Sequence, residues 1–449
     1  MAGRSEVALA PNVFVDFKPE LVPQSELLEL VAARDPAFED WLRDLRQADH
    51  HGAKPKIIEP LQPFSSASTG GKTIIIIRTA TKQDTADGDF FETLMIDVLS
   101  ARLQAEGADE IYAGVEPDPE RLNRATTFVH FEMRSVLDAG YWSVHLRALA
   151  DHERRFLWSG RLQLPFDANR LASGLDAQAF ASRALSQILL RFHAFRQVNQ
   201  SPLMIMQRAA ARLYHPEKEL FLRAEEELER LSTGEAAAVA LGWRAFAKIA
   251  RRIEFSETEA SEAAEGLINE GLAKRPGNAL VAALASRVAL DVSGDLDRSA
   301  HFARAALESD SGNPYALKAM SRALLMDGKA SEAHRHALMA RRVADGLPHV
   351  YAWDCEVGLT ALAEGDYRAA YEAMREAHRH KPTHRASLRY LAATAILIGE
   401  KEAAKQATAR LARLEPGFRI SDLGRPDYPV ATLRRLGLAG EMPGAEPGT

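Results

Sequence analysis

The sequence predicts an α+β multidomain chain: a small α/β layer unit followed by an all-α solenoid of stacked helix pairs. Three observations carry this prediction. Gly294 and Gly328 stand 34 residues apart, as do Gly365 and Gly399, and Pro382 and Pro416 keep the same step. A 34-residue period with a turn glycine inside it marks a helix–turn–helix repeat. Ile74 to Ile77 is a continuous apolar run, the pattern of a strand covered on both faces. From Pro202 onward strand signals cease and apolar residues recur at helical spacing. Units of this kind bury only one face alone, so neighbours stack into a curved binding surface.

Composition bounds the answer. The chain has 449 residues, 46% of them hydrophobic, room for about two to four domains. A net charge of -6 argues against a polyanion-binding surface spread over the whole protein. The single cysteine, Cys355, excludes an internal disulfide and fits a reducing compartment. The first residues show no apolar segment following a basic one, so no secretory signal is expected. The longest near-apolar stretch, around Leu391 to Ile398, is too short for a bilayer. The expectation is a soluble, cytoplasmic protein without membrane contact.

In chain order, residues 1–60 form a short opening unit. It has a strand-like stretch from Val7 to Phe17 and a helical stretch from Ser25 to Gln47, in which Asp35-Pro36 is a helix-start signal. His50 to Gly71 reads as a linker rich in Pro, Ser and Gly. Residues 61–200 form the α/β unit. Strands are expected over Ile74–Ile77, Glu110–Val115, Thr126–Val136, Tyr141–Ala150 and Arg154–Leu164, and helices over Phe90–Leu103 and Asp176–Val198. Residues 201–235 form a helical connector. Helix pairs follow over 236–418, in units 236–275, 280–313, 314–347, 351–384 and 385–418. A tail, 419–449, carries a short helix around Val430 to Leu436.

The pair array resembles tetratricopeptide repeats. Residues 351–384 carry the likeness best, with Gly358, Gly365, Ala370, Ala377 and Pro382 at the repeat's small and closing positions. Repeat 385–418 keeps Ala392, Gly399, Ala404 and Pro416, and 314–347 keeps Gly328, Ala333 and Ala340. Repeat 280–313 is the weakest, with Arg287 where a small residue is usual. The α/β unit resembles the TolB-like domain of bacterial regulators through Ala86-Asp87-Gly88, the pair Phe128 to Ala150, and Leu157-Trp158. The opening unit is similar to the end of a bacterial transcriptional activator domain, through Asp35 to Arg43. The combination resembles regulators often labelled adenylate-cyclase-like. In such proteins a winged helix precedes this stretch and binds DNA, and this chain begins after that point.

Several motifs invite a catalytic or ligand-binding reading. Ser65 to Thr73 ends in Gly-Lys-Thr, but a phosphate loop needs a glycine earlier and a strand before it; Ser66 stands at the first and the strand follows. His378, His380 and His384 gather at a repeat junction, yet the last two straddle Pro382 and do not share a helix face; His334 and His336 are two apart. No nucleophile elbow, HExxH, CxxC or kinase loop set occurs. The expectation is no enzyme, no cofactor and no metal.

The resemblance to tetratricopeptides implies a groove lined by the first helix of each repeat. It assigns Tyr315, Lys318, Arg322 and Leu325, then Ala352, Cys355, Leu359 and Leu362, then Ala386, Arg389, Ala393 and Ile396. Cations beside an aromatic and an apolar floor suit acidic side chains or a terminal carboxylate of a protein or peptide partner; the same cations also suit a solvated helix face. The resemblances together imply a non-catalytic regulator of bacterial transcription or signal transduction. The alternatives are a repeat adaptor with no DNA role, or a DNA-binding regulator whose winged helix lies upstream.

Overall fold

The computed structural model describes residues 72–442 apart from 80–85, 109, 116, 119–124, 139, 151–154, 166–173, 193–201, 216, 232–235, 256–260 and 426–427. The chain divides into two compact units, 1–67 and 68–449, and every described residue belongs to the second. The readings over 1–60, the linker and the Ser65–Gly71 part of the Gly-Lys-Thr motif lie outside the described residues. Lys72 and Thr73 simply open the first strand.

The α/β part holds β1 (Lys72–Thr79), α1 (Ala86–Ala105), β2 (Glu110–Ala113), β3 (Ala125–Asp138), β4 (Tyr141–Ala150), β5 (Arg155–Pro165) and α2 (Leu175–Phe192). The sheet order is β2-β1-β3-β4-β5. β1 runs parallel to both its neighbours, and β3, β4 and β5 form an antiparallel meander. The helical crossover α1 is what a parallel β1–β2 pair requires. In β4 every second residue, Trp142 through Ala150, is buried and packs with α1 and α2 in one core. Phe91 of α1 stacks on Trp142 with centroids 5.0 Å apart. Ile75 and Ile77 join this core while Ile74 and Ile76 are buried on the opposite face beside Tyr112, which explains the unbroken apolar run.

Among the described residues, twelve helices follow as six pairs. They are α3 (Pro202–Leu213) with α4 (Lys218–Glu229), α5 (Ala236–Phe255) with α6 (Ser261–Lys274), and α7 (Ala279–Val288) with α8 (Leu296–Ser309). The remaining pairs are α9 (Pro314–Met326) with α10 (Ala330–Val343), α11 (Tyr351–Glu364) with α12 (Tyr367–His380), and α13 (Arg385–Leu397) with α14 (Lys401–Leu414). The described part of 201–235 is therefore itself a helix pair, packed on α5. The glycine ruler has a backbone cause: Gly294, Gly328, Gly365 and Gly399 have φ of 66, 79, 82 and 78°, the left-handed turn that follows the first helix of each of the last four pairs.

The unit 280–313 needs its frame moved by one residue. N-cap residues Asn313, Val350 and His384 precede positions 314, 351 and 385; the matching cap here is Asn278, so the unit begins at 279. The small eighth position is then Ser286, not Arg287. Ser286 is buried, its hydroxyl 2.9 Å from that of Ser299, just as Ser321 donates to the Ala333 carbonyl at 3.0 Å in the next repeat. The one surplus residue is absorbed as a π turn, Ala289–Ser293, that continues α7.

The tail is packed rather than loose over its described part. A 3-10 turn (Ile420–Gly424), α15 (Ala431–Arg435) and a second 3-10 turn (Leu438–Glu441) bury Leu423, Val430, Leu433, Leu438 and Met442 in the core of the array.

The α/β part is pinned to the array by a buried junction. Arg102 Nε lies 3.3 Å from Asp310 Oδ2, both side chains 3% exposed, and the guanidinium also donates to the Gly312 carbonyl. Asn278 Nδ2 donates to the Gln104 carbonyl at 3.2 Å while its Oδ1 accepts the Val281 N–H. Arg183–Asp345 and Arg342–Asp176 add two pairs at the surface. Among the described residues no helix is long and apolar enough to cross a membrane.

Candidate functional site

The first helices of four successive pairs, α5, α7, α9 and α11, line a cavity of about 370 Å³, and α13 closes it. An aromatic wall forms from residues far apart in sequence. Tyr214, just past α3, stacks on His349 at 4.2 Å and 11°. Tyr315 meets Trp243 edge-on at 5.3 Å and Trp353 at 5.2 Å. His349 Nε2 and the Tyr315 hydroxyl are 2.9 Å apart. Burial, reinforced by the Lys318 charge, pushes the His349 imidazole down to about 3, so it is a neutral element of this wall.

Against the wall stands a row of charges. Lys318 Nζ donates to the Ala352 carbonyl at 2.8 Å and lies 4.9 Å from the Trp353 ring centroid, a cation–π contact. Burial holds the Lys318 ammonium down to about 8, opposed by the Glu356 carboxylate. Arg322 Nη1 is 3.8 Å from Glu356 Oε1, beyond hydrogen-bond reach, and that buried oxygen accepts no hydrogen bond. Arg287 of α7 pairs with Asp291 of the π turn, and both line the cavity. The π turn lets Asp291 face the same space: π turns recur at ligand sites because they re-aim side chains inside a helix.

The sequence-assigned groove residues divide. Tyr315, Lys318, Arg322 and Leu359 line the cavity, together with Ala352, Cys355 and Ala386. Leu325 and Leu362 are buried in the core of the array, and Ile396 packs partly buried against that core. Arg389 faces away from the cavity under the tail: it pairs with Glu415, and its guanidinium sits 5.3 Å over the Tyr428 ring. Glu415 comes from the end of α14, and Tyr428 arrives when the tail folds back. The lining residues Ala283, Leu284, Arg287 and Asp291 were missed because the one-residue insertion hid the frame of α7; Asn278 as an N-cap was the signal available.

The tail crosses the mouth. The Thr432 N–H donates to the Tyr390 hydroxyl at 3.2 Å, the Tyr428 hydroxyl donates to Glu415 at 2.6 Å, and Arg435 reaches the Met326 carbonyl at the far end of α9. Pro429, Ala431 and Thr432 line the cavity from this side.

The three histidines singled out in the sequence go separate ways. His378 meets Arg410, His380 Nδ1 meets Asp354 at 2.7 Å, and His384 caps α13 through Ser387. Among the described residues no cluster of three metal-ligating side chains occurs.

The sequence matches no protein-family model and no curated protein. Among solved structures it is similar to the pilF protein of Pseudomonas aeruginosa, with 21% identity and a TM-score of 0.33, covering 44% of this chain and 84% of that one. It is also similar to PilW, a type IV pilus biogenesis factor, with 17% identity and a TM-score of 0.34, covering 44% of this chain and 89% of that one. Both scores lie below 0.5, and nothing about this chain's function follows from them.

Proposed function

We propose that this chain is a non-catalytic adaptor whose helix-pair array recognises a protein or peptide partner at the concave cavity. The observation that carries the reading is the set of incompletely matched charges there: half-buried Lys318 and Arg322 beside a buried Glu356 oxygen that accepts no hydrogen bond. Buried charge of that kind costs stability unless a partner completes it. Burial pushes the Cys355 thiol up to about 11, which suits a lining group and not a nucleophile. The resemblances to TolB-like and transcriptional activator domains extend this reading to a cytoplasmic regulator of bacterial transcription or signalling; that extension rests on Asp35 to Arg43 and on the α/β unit alone.

The test is a pull-down with the immobilised full chain from cells that make it, comparing the native protein with Arg322→Glu. Arg389→Glu is unsuitable, since that side chain holds the tail. Arg322→Glu is expected to lower partner retention about tenfold or more, the effect of reversing one charge in a buried recognition pair, with unchanged circular dichroism. Equal retention by the two proteins sinks the reading.

A further inference from the structure

The cavity has features that a polypeptide groove does not need. Its volume is about 370 Å³. It falls within the range of about 300–1,000 Å³ that small-ligand pockets occupy. The tail straps the mouth from α13 to the end of α9, and α3 closes another side through Tyr214, whose carbonyl accepts from the Tyr351 hydroxyl.

The polar groups ask for both signs at once. Glu356 is 2% exposed and presents an oxygen with no donor, so a ligand ammonium can bind there. Arg322 stands 3.8 Å from that oxygen and Lys318 uses one bond on a carbonyl, so both cations retain donors for a ligand carboxylate. A simple anion would meet Glu356 and a simple cation would meet Arg322 and Lys318; only a molecule carrying both charges satisfies the set. Beside these charges and the Arg287–Asp291 pair, the lining includes the apolar or aromatic side chains of Phe246, Leu284, Tyr315, Leu359 and Tyr390.

We propose that the cavity is an effector site for a free α-amino acid with a large apolar side chain, of the leucine or phenylalanine kind. Its ammonium sits against Glu356, its carboxylate against Arg322 and Lys318, and its side chain in the aromatic pocket. This rests on the reading of the array as the recognition module and adds the control of that module: an occupant beneath the tail competes with a partner for the same charges.

The experiment is calorimetric titration of the full chain with L-leucine, L-phenylalanine, N-acetyl-L-phenylalanine and L-phenylalaninamide. One of the free amino acids is expected to bind saturably at one site, and blocking either end of L-phenylalanine to weaken binding about tenfold or more. Glu356→Gln is expected to weaken L-phenylalanine while leaving the N-acetyl compound unchanged; the four-ligand series on the native chain carries the test if that variant does not fold. No binding by either amino acid overturns the proposal, as does equal binding of the N-acetyl compound. The two readings fail separately. Loss of partner capture in Arg322→Glu with no amino-acid binding removes only the effector site. End-selective amino-acid binding with partner capture intact in that variant removes only the partner assignment.

Discussion

At the scale of single residues, two side chains set testable behaviour. Lys318 keeps its charge at neutral pH, yet burial brings its proton loss to about 8. Its neighbours are Glu356 and Cys355 on α11, Arg287 on α7 and Arg322 on its own helix; burial moves the Cys355 thiol up to about 11, clear of this window. Capture of a carboxylate-bearing partner should therefore weaken as pH rises through about 8, and Lys318→Arg should remove that dependence. A flat profile between about pH 7 and about pH 9 in the native protein would exclude Lys318 from recognition. Gly358 does a different job. A Cβ there would stand 2.7 Å from Met374 Cε and 3.2 Å from the Ala370 carbonyl oxygen, so the bare residue lets α11 and α12 meet closely. Gly358→Val should cost about 1–3 kcal/mol by overpacking, read as a lower urea midpoint.

At the scale of elements, the decisive irregularity is the π turn after α7. Without it the extra residue in this unit would rotate everything after it by about 100°, one step of a 3.6-residue turn, and Gly294 would no longer fall at its bend. Deleting Leu290 restores an uninterrupted repeat. Helical circular dichroism should persist, while Arg287 and Asp291 lose their shared facing toward the cavity. Partner retention should then fall about tenfold, comparable to losing a buried charge pair. Retention equal to the native protein would show that the turn is a tolerated insertion and nothing more.

At the scale of the whole molecule, the junction between the α/β part and the array should respond to pH through Glu106. Burial is the largest cause raising Glu106 to about 7 from 4.5; Arg102 and the Gln207 hydrogen bond oppose it, and Asp310 adds to it. The folded chain therefore holds a proton that the unfolded chain releases above 4.5. The stability is complete below that value and is lost as pH rises through about 7. The loss is roughly 3 kcal/mol across the window. Glu106→Gln should flatten the difference between urea midpoints measured at about pH 5 and about pH 8. A pH dependence that is the same in the native protein and in Glu106→Gln would contradict the assignment.

Local patterns were legible to the extent that backbone geometry imposes them. The strand Tyr141–Ala150 falls on the alternation of Trp142, Val144, Leu146 and Ala148, and the glycine spacing follows from left-handed turns that side chains resist. The cavity was half legible. Tyr315, Lys318 and Arg322 follow from position within a regular repeat, and Arg287 does not, because one surplus residue shifted its frame. Arg389 looked equivalent to Arg322 by position and differs because Glu415 and Tyr428 cover it.

The sequence by itself determined the elements, the helix-pair period and the charges available along one helix face, since these depend on neighbours within a few turns. Only the tertiary structure decided which of those charges meet. Tyr214, Lys318, Glu356 and Thr432 reach one cavity through stacking and through the return of the tail, and contacts between residues so distant in sequence are set by packing that no local spacing records.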